Sequence, residues 1–240
     1  MPKKVALITG ANKGIGLEIA RQLGNHGFTV FLGARNPQLG EAAAAKLRSE
    51  NLDARYLELD LNQPETSVSA ARAIKSEFPH LDVLVNNAAI VDAADAPPAT
   101  VDLAAVRRVM ETNFFGTLAV TQALLPLLRA APAARIVNVS SGLGSLTLNA
   151  DPSRPFAGFE FLGYNTSKAA LNMLTIQLAS ELRDTAIKVN AVSPGMVATD
   201  MNPQGTLTTQ EGASEPIRLA LLPADGPTGG FFRAAGSYPW

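Results

Sequence analysis

The chain has 240 residues, 20 basic and 21 acidic side chains, a net charge of −1, two histidines and no cysteine. That balance offers nothing to attract a phosphate polymer or an anionic membrane, and it rules out disulfides, thiolate metal sites and cysteine nucleophiles. With 47 % hydrophobic and 17 % charged residues the composition is that of a folded soluble protein, and no apolar run approaches the ~18 residues of a membrane span. His26 and His80 stand alone, so no histidine-centred triad or metal site is expected. The basic start Met1-Pro2-Lys3-Lys4 precedes an apolar run too short for a signal sequence, and the expected location is cytoplasmic, with no nucleic-acid or membrane partner.

The first strand candidate is residues 5–9, which lead into Thr9-Gly10-Ala11-Asn12-Lys13-Gly14-Ile15-Gly16. A helix opens at Gly14, with Ile15, Ile19 and Leu23 spaced four apart. Gly10 permits a tight turn, Gly14 lets backbone amides approach a diphosphate at the positive helix end, and Gly16 lets the helix pack on the strand. Gly10, Asn12, Lys13, Gly14, Ile15 and Gly16 are therefore candidate dinucleotide contacts. A plain strand-to-helix turn is the competing reading.

The second strand, 29–33, ends at Gly33-Ala34-Arg35, where NAD-binding folds place an acid for the ribose hydroxyls. Ala34 lacks that carboxylate, whereas Arg35 and Lys13 offer two cations to a 2′-phosphate, which favours NADPH over NADH. Cations that only face water are the alternative. A helix from Pro37 contains the alanine run 42–45, and the third strand, 55–59, ends at Asp60 and Leu61. Both are candidates for the adenine end of the cofactor, although a turn-starting aspartate also accounts for Asp60. After a helix from Pro64, the strand at 83–86 ends in Asn86-Asn87-Ala88-Ala89, where the cofactor would cross the sheet edge. Asn86 and Ala88 are candidates there, and Asn86 can equally tie neighbouring strands together.

A helix from about Thr100 contains Thr112-Asn113-Phe114-Phe115-Gly116-Thr117. Asparagine and glycine are poor helix formers, and that local conflict marks Asn113 as a functional candidate. The fifth strand, 135–140, delivers Ser141 to the same edge, where a neutral hydroxyl can polarise a carbonyl and stabilise charge developing on its oxygen. A hydrolase would need a G-x-S-x-G elbow and a histidine base, and neither is present. Residues 142–163 read as a loop in which Phe156, Phe159 and Phe161 wall an apolar pocket. From Tyr164 a helix follows, and Tyr164 and Lys168 share one of its faces. An ammonium about 4 Å from a phenol draws its pKa down toward neutrality. Carbonyl reduction requires such a proton donor, because hydride addition leaves an alkoxide. A Tyr-x-x-x-Lys pair often arises by chance; its place after the fifth strand singles this one out.

The sixth strand is 188–192, and the tail from Met196 reads as loops. Strands alternating with helices predict an α/β fold: one domain over 1–240, a Rossmann-type doubly wound parallel sheet with helices on both faces. Substrate loops are expected at about 142–163 and 200–222.

From Lys4 to about Met201 the chain resembles the short-chain dehydrogenase/reductase family. The match rests on T-G-x-x-x-G-x-G at 9–16, N-N-A from Asn86, Asn113, Ser141, Tyr164 with Lys168, and Pro194-Gly195, in the family's order. The resemblance implies a catalytic tetrad of Asn113, Ser141, Tyr164 and Lys168. In it Lys168 also holds the nicotinamide ribose and Asn113 positions a water in a proton relay. It further implies that Pro194, Gly195, Val197 and Thr199 cradle the nicotinamide. Ala-Asn-Lys-Gly-Ile-Gly-Leu, Thr-Asn-Phe-Phe-Gly-Thr and a Gly-Gly-Phe-Phe tail ending in Trp240 are similar to the carbonyl reductase branch. That similarity implies NADPH, a small-molecule carbonyl substrate and a monomer, with a homo-oligomer as the other state. Ala89 departs from the family's glycine, and the spacing from Ser141 to Tyr164 is longer than usual. The expected function is NADPH-dependent reduction of a ketone, aldehyde or quinone with Tyr164 as proton donor. The alternatives are an NADPH-sensing binding protein, which would tolerate loss of Tyr164 or Lys168, and an NAD-dependent alcohol dehydrogenase, which would prefer an acid near position 34.

Overall fold

In the first strand, β1 (Val5–Thr9), Val5 and Leu7 belong to one apolar layer and Ala6 and Ile8 to another, and all five residues are buried. Burial on both faces suits a parallel sheet covered by helices on both sides. The computed structural model, which describes residues 3–153 and 156–240, has that arrangement. On one side β1 pairs in parallel with β2 (Thr29–Ala34), itself flanked by β3 (Ala54–Glu58). On the other it pairs with β4 (Val83–Asn86), followed by β5 (Arg135–Val139) and β6 (Lys188–Val192). The order is thus β3-β2-β1-β4-β5-β6, and the reversal between β1 and β4 opens the crevice in which such sheets bind ligands.

One face is covered by α1 (Gly14–Asn25), α2 (Pro37–Ser49) and α8 (Thr209–Ala220). There Ile19, Leu23, Leu47 and Ile217 join a core with Ile8, Leu32 and Val85. The other face carries α3 (Pro64–Glu77), α5 (Thr117–Ala130) and α7 (Leu162–Glu181), with Ile74, Leu124 and Leu178 in a core with Leu7, Leu84 and Ile136. Ahead of α5, α4 (Leu103–Met110) runs on through a π-helical segment, Glu111–Gly116, that contains Asn113. The segment 142–163 is not all loop: a 3₁₀ turn, Gly142–Gly144, is followed by the one-turn α6 (Leu146–Asn149).

Two expectations need correction. The tail was read as loops over 200–222, yet α8 lies within it. Thr208 and Glu211 form a reciprocal capping box: the Thr208 hydroxyl accepts from the Glu211 amide at 3.1 Å, and the Thr208 amide donates to Glu211 Oε2 at 2.7 Å. Pro216 sits inside the helix and disguises its pattern, while Ala213, Ile217, Leu219 and Ala220 are buried. Arg135, itself buried, fastens the far end by donating from Nε and Nη2 to the Leu222 carbonyl at 2.9 and 2.7 Å. The sheet also continues beyond six strands. β7 (Phe231–Arg233) pairs in parallel with β6, and β8 (Gly236–Ser237) returns antiparallel because a two-residue turn can only reverse the chain. Phe231 stacks on Tyr238 and on Trp240, at centroid distances of 5.2 and 5.3 Å, which fixes the C-terminal residues to this edge. No helix among the described residues is long and apolar enough to cross a membrane.

If α8 is part of the core, Ile217→Ala should cost about 2–4 kcal/mol in urea unfolding. A change below about 0.5 kcal/mol, as for a surface loop, would place the segment outside the cooperative unit.

Candidate active site

A cavity of about 940 Å³ opens at the carboxyl ends of the strands on both sides of the β1/β4 reversal. Its floor depends on close backbone approach. The Thr9 hydroxyl accepts from the amides of Asn87 and Ala88, both at 2.9 Å, and Asn87 Nδ2 donates back to the Thr9 carbonyl at 2.9 Å. Gly10 has φ of +65°, and a Cβ there would stand 3.0 Å from Ala88 Cα; one on Gly16 would stand 2.5 Å from Asn87 Nδ2. Both glycines are therefore demanded by packing as much as by any ligand. At the start of α1, extended Lys13 supplies no side-chain cap and the first turn holds no acid, while Gly14, Ile15 and Gly16 line the cavity. An uncapped positive helix end facing a cavity suits a diphosphate.

Asn12 and Lys13 also line the cavity, as do Arg35, Asp60, Leu61 and Ala88. Arg35 is exposed beside the buried Ala34. Lys13 is not free, because its ammonium pairs with Asp200 at 2.6 Å, both side chains being well exposed. Asp60 does start a turn, its Oδ1 accepting from the Asn62 amide at 3.0 Å. Pro194 and Thr199 lie on the lining, whereas Asn86, Gly195 and Val197 do not. Asn86 is buried, and its Nδ2 donates to Asn138 Oδ1 at 2.8 Å and to Thr121 Oγ1 at 3.1 Å, so it ties β4 to β5 and α5. Gly195 turns the chain at φ +83°, and Val197 is buried against Gly212. Sequence reasoning missed Ile90, Val91, Asp92 and Ser140, which also face the cavity, while Asp200 and Met201 reach it from the expected loop that begins at about 200. Spacing gives no signal for them, because the fold brings them there from loops.

Tyr164 is the third residue of α7, half-buried and on the cavity wall. Ser141, two residues past β5 and off the cavity lining, hydrogen-bonds the phenol, and its Oγ accepts from the Leu143 amide at 3.2 Å. Lys168 is buried; its ammonium donates to the Val139 carbonyl at 2.8 Å and lies 5.5 Å from the Tyr164 ring centroid. The expected fall of the phenol's pKa toward neutrality is reversed. Burial pushes it up to about 12, with a smaller downward pull from Ser141. Lys168 is itself pushed down to about 8 by burial. An ammonium about 4 Å from the phenol in a polar medium would lower its pKa, but here the ammonium turns to the Val139 carbonyl and both groups are buried.

Asn113 sits in the π-helical segment, buried and off the lining. Its Oδ1 accepts from the Ile90 amide at 2.8 Å, and its Nδ2 donates to the Ile90 carbonyl at 2.9 Å and to Ser167 Oγ at 3.0 Å. The side chain is thus a clamp between the segment after β4 and α7. Another residue without a local sequence signal is Asp95, whose buried carboxylate accepts from the amides of Gly163 and Tyr164 at 2.9 and 2.8 Å.

The family model described as short chain dehydrogenase matches residues 4–210. Short-chain dehydrogenase/reductase 1 of Saponaria officinalis is 36 % identical over 96 % of this chain and 94 % of its own length. Carbonyl reductase (NADPH) 1 of Mus musculus is 35 % identical over 99 % of both. Among solved structures, the NADPH-bound carbonyl reductase from chicken fatty liver superposes with a TM-score of 0.86 at 30 % identity, covering 100 % of both chains. Salutaridine reductase from Papaver somniferum gives a TM-score of 0.85 at 30 % identity, over 97 % of this chain and 100 % of that one. With this fold, this cavity and a family model spanning most of its length, the chain belongs to the short-chain dehydrogenase family.

Proposed function

We propose that this chain reduces a ketone, aldehyde or quinone carbonyl at the expense of NADPH, with Tyr164 as proton donor. The observation that carries the reading is the Tyr164 phenol, bonded to Ser141, on the wall of a cavity that extends to the bare amino end of α1. NADPH bound along that cavity supplies the hydride for the carbonyl carbon. The amides of Gly14, Ile15 and Gly16 suit its diphosphate, and Arg35 suits a 2′-phosphate where Ala34 offers no carboxylate to ribose hydroxyls. The Lys13–Asp200 pair is exposed and screened by solvent, weak enough for a phosphate to recruit Lys13 as a second cation. NADPH-bound and NADPH-named relatives support the same cofactor.

At the reacting end Ser141 donates a hydrogen bond to the carbonyl oxygen and polarises it. As negative charge develops there, Tyr164 transfers its proton to that oxygen and the product leaves as an alcohol. A phenol near 12 is protonated at neutral pH, so the donor is loaded before substrate arrives. The phenolate left behind is stabilised by Ser141 and by the charge of Lys168 one turn on. Phe156, Phe159 and Phe161 do not line this cavity: Phe156 packs beside Gly142, and Phe159 meets Phe161 edge to face.

The test is NADPH consumption over a panel of carbonyl compounds. Tyr164→Phe should lower kcat by at least about 100-fold while NADPH affinity, followed by fluorescence titration, changes less than about twofold. Retention of most of the rate would remove Tyr164 from the mechanism, and carbonyl-independent binding alone would favour a cofactor sensor. NADPH should be preferred over NADH by at least about tenfold, equivalent to roughly 1.4 kcal/mol of phosphate contact. Arg35→Asp should abolish that preference, whereas equal weakening of both cofactors would refute the contact.

Lys168 gives a separate handle through stability. Between its folded value of about 8 and the ordinary 10.5, the unfolded chain binds a proton there that the folded chain has released. The folded state therefore gains stability as pH rises through that window and loses it as pH falls toward 8. In cofactor-free protein, Lys168→Met should be most favoured relative to wild type at pH 7, and the difference should shrink by pH 10. A difference flat across that range in urea unfolding would show that burial does not perturb this lysine.

A further inference from the structure

Tyr164 rides on the first turn of α7, so its pose depends on what holds that helix end. Phe161 provides no side-chain cap, and no acid lies in the first turn. The holding group comes instead from the segment between β4 and α4. Asp95 Oδ1 accepts from the Gly163 amide at 2.9 Å, and its Oδ2 accepts from the Tyr164 amide at 2.8 Å. The adjacent Ala96 carbonyl accepts from the Leu162 amide at 3.2 Å, and the Ala96 amide returns a bond to Asp95 Oδ1 at 3.0 Å. The first three amides of α7 are thus satisfied by two residues nearly seventy positions earlier.

The fit is close. A Cβ on Gly163 would stand 3.1 Å from Asp95 Oδ2 and 3.2 Å from Val106 Cα, so a side chain there would push the carboxylate or α4 back by a few tenths of an ångström. Asp95 is 8 % exposed, and a carboxylate this buried is favoured where a positive helix end and several N–H donors face it. The carbonyl of Tyr164 is held as well: Ser167 Oγ donates to it at 2.7 Å and in turn accepts from Asn113 Nδ2. Asn113 clasps both backbone groups of Ile90, at the other end of the segment that carries Asp95. Both polar groups of the Tyr164 peptide unit are therefore anchored, its N–H by Asp95 and its C=O through Ser167.

We propose that Asp95 is a positioning residue for the reaction, holding the Tyr164 backbone so that the phenol stays within a bond's reach of the substrate oxygen. The inference rests on Tyr164 being the proton donor. Asp95 lies off the cavity lining, so its loss acts on proton transfer and not on binding. Asparagine is the informative replacement: it has the same shape, but one of its two acceptors becomes a donor facing a backbone N–H, so one of the bonds to α7 is lost.

The experiment compares wild type, Asp95→Asn and Asp95→Ala, with NADPH-binding sites counted by titration so that unfolded protein does not enter kcat. Per binding site, kcat should fall at least about tenfold in Asp95→Ala and by a smaller factor in Asp95→Asn, with KM for NADPH within about twofold. The solvent deuterium isotope effect on kcat should rise in both, because a displaced phenol makes proton transfer limit the rate. A merely structural cap would lower the number of sites and leave the rate per site and the isotope effect unchanged, which would overturn the proposal. So would failure of both variants to fold. Inactive wild type would instead overturn the reading of Tyr164, so the two failures are told apart.

Discussion

The close approach of β1 to β4 is the constraint on which the rest of the site depends. These strands are neighbours in the sheet but not in sequence, and the chain leaves them toward opposite faces, so their carboxyl ends frame the crevice. The contact is tight because Thr9 bonds two successive amides of the Asn87-Ala88 segment and Gly10 leaves no side chain between them. Asn87 in turn occupies the space beside Gly16 that a larger residue on α1 would fill. The helix start is thereby drawn down on the strand ends, and its free amides are aimed into the cavity. Reaction geometry follows from the same sheet: β5 sets Ser141 at its edge, and Lys168 reaches back to the Val139 carbonyl of that strand.

What was legible in the sequence was whatever the chemistry writes locally. Strands with apolar residues on both faces, the glycine turn and the one-turn spacing of Tyr164 and Lys168 each follow from a few neighbouring residues. The conflict of Asn113 and Gly116 with a regular helix was also legible, and it corresponds to a π-helical segment that turns the Asn113 amide onto Ile90. What was not legible depends on partners far along the chain. α8 was concealed by Pro216, although its Thr208-x-x-Glu211 cap stood in plain text. β7 and β8 are too short to show a period and are recognisable only through the edge of β6 and the stacking of Phe231, Tyr238 and Trp240. Asp95 and Asp200 are ordinary loop acids until the fold brings one to Tyr164 and the other to Lys13.

The reversed pKa of Tyr164 shows why spacing alone misjudges electrostatics. Four residues of helix bring a lysine near a tyrosine, but they do not say how much water remains or where the ammonium points. Here it points at a carbonyl, and burial penalises the charged form of both groups: the phenol rises to about 12 and the ammonium falls to about 8. A reductase is well served by that balance, since it needs the proton on oxygen at the start of turnover and a cation nearby at its end.

Two helix starts in this site use one piece of physics in opposite ways. At α1 the first turn holds no acid and the N-cap side chain makes no capping bond, so the positive end stays available to an external anion. At α7 the protein supplies its own carboxylate, Asp95, and the same positive end is neutralised from within. A bare amino end so close to Tyr164 would favour phenolate and would invite anions into the place where a neutral carbonyl must sit. With Asp95 in place, burial governs the phenol, and the anion-receptive helix end on this cavity is that of α1.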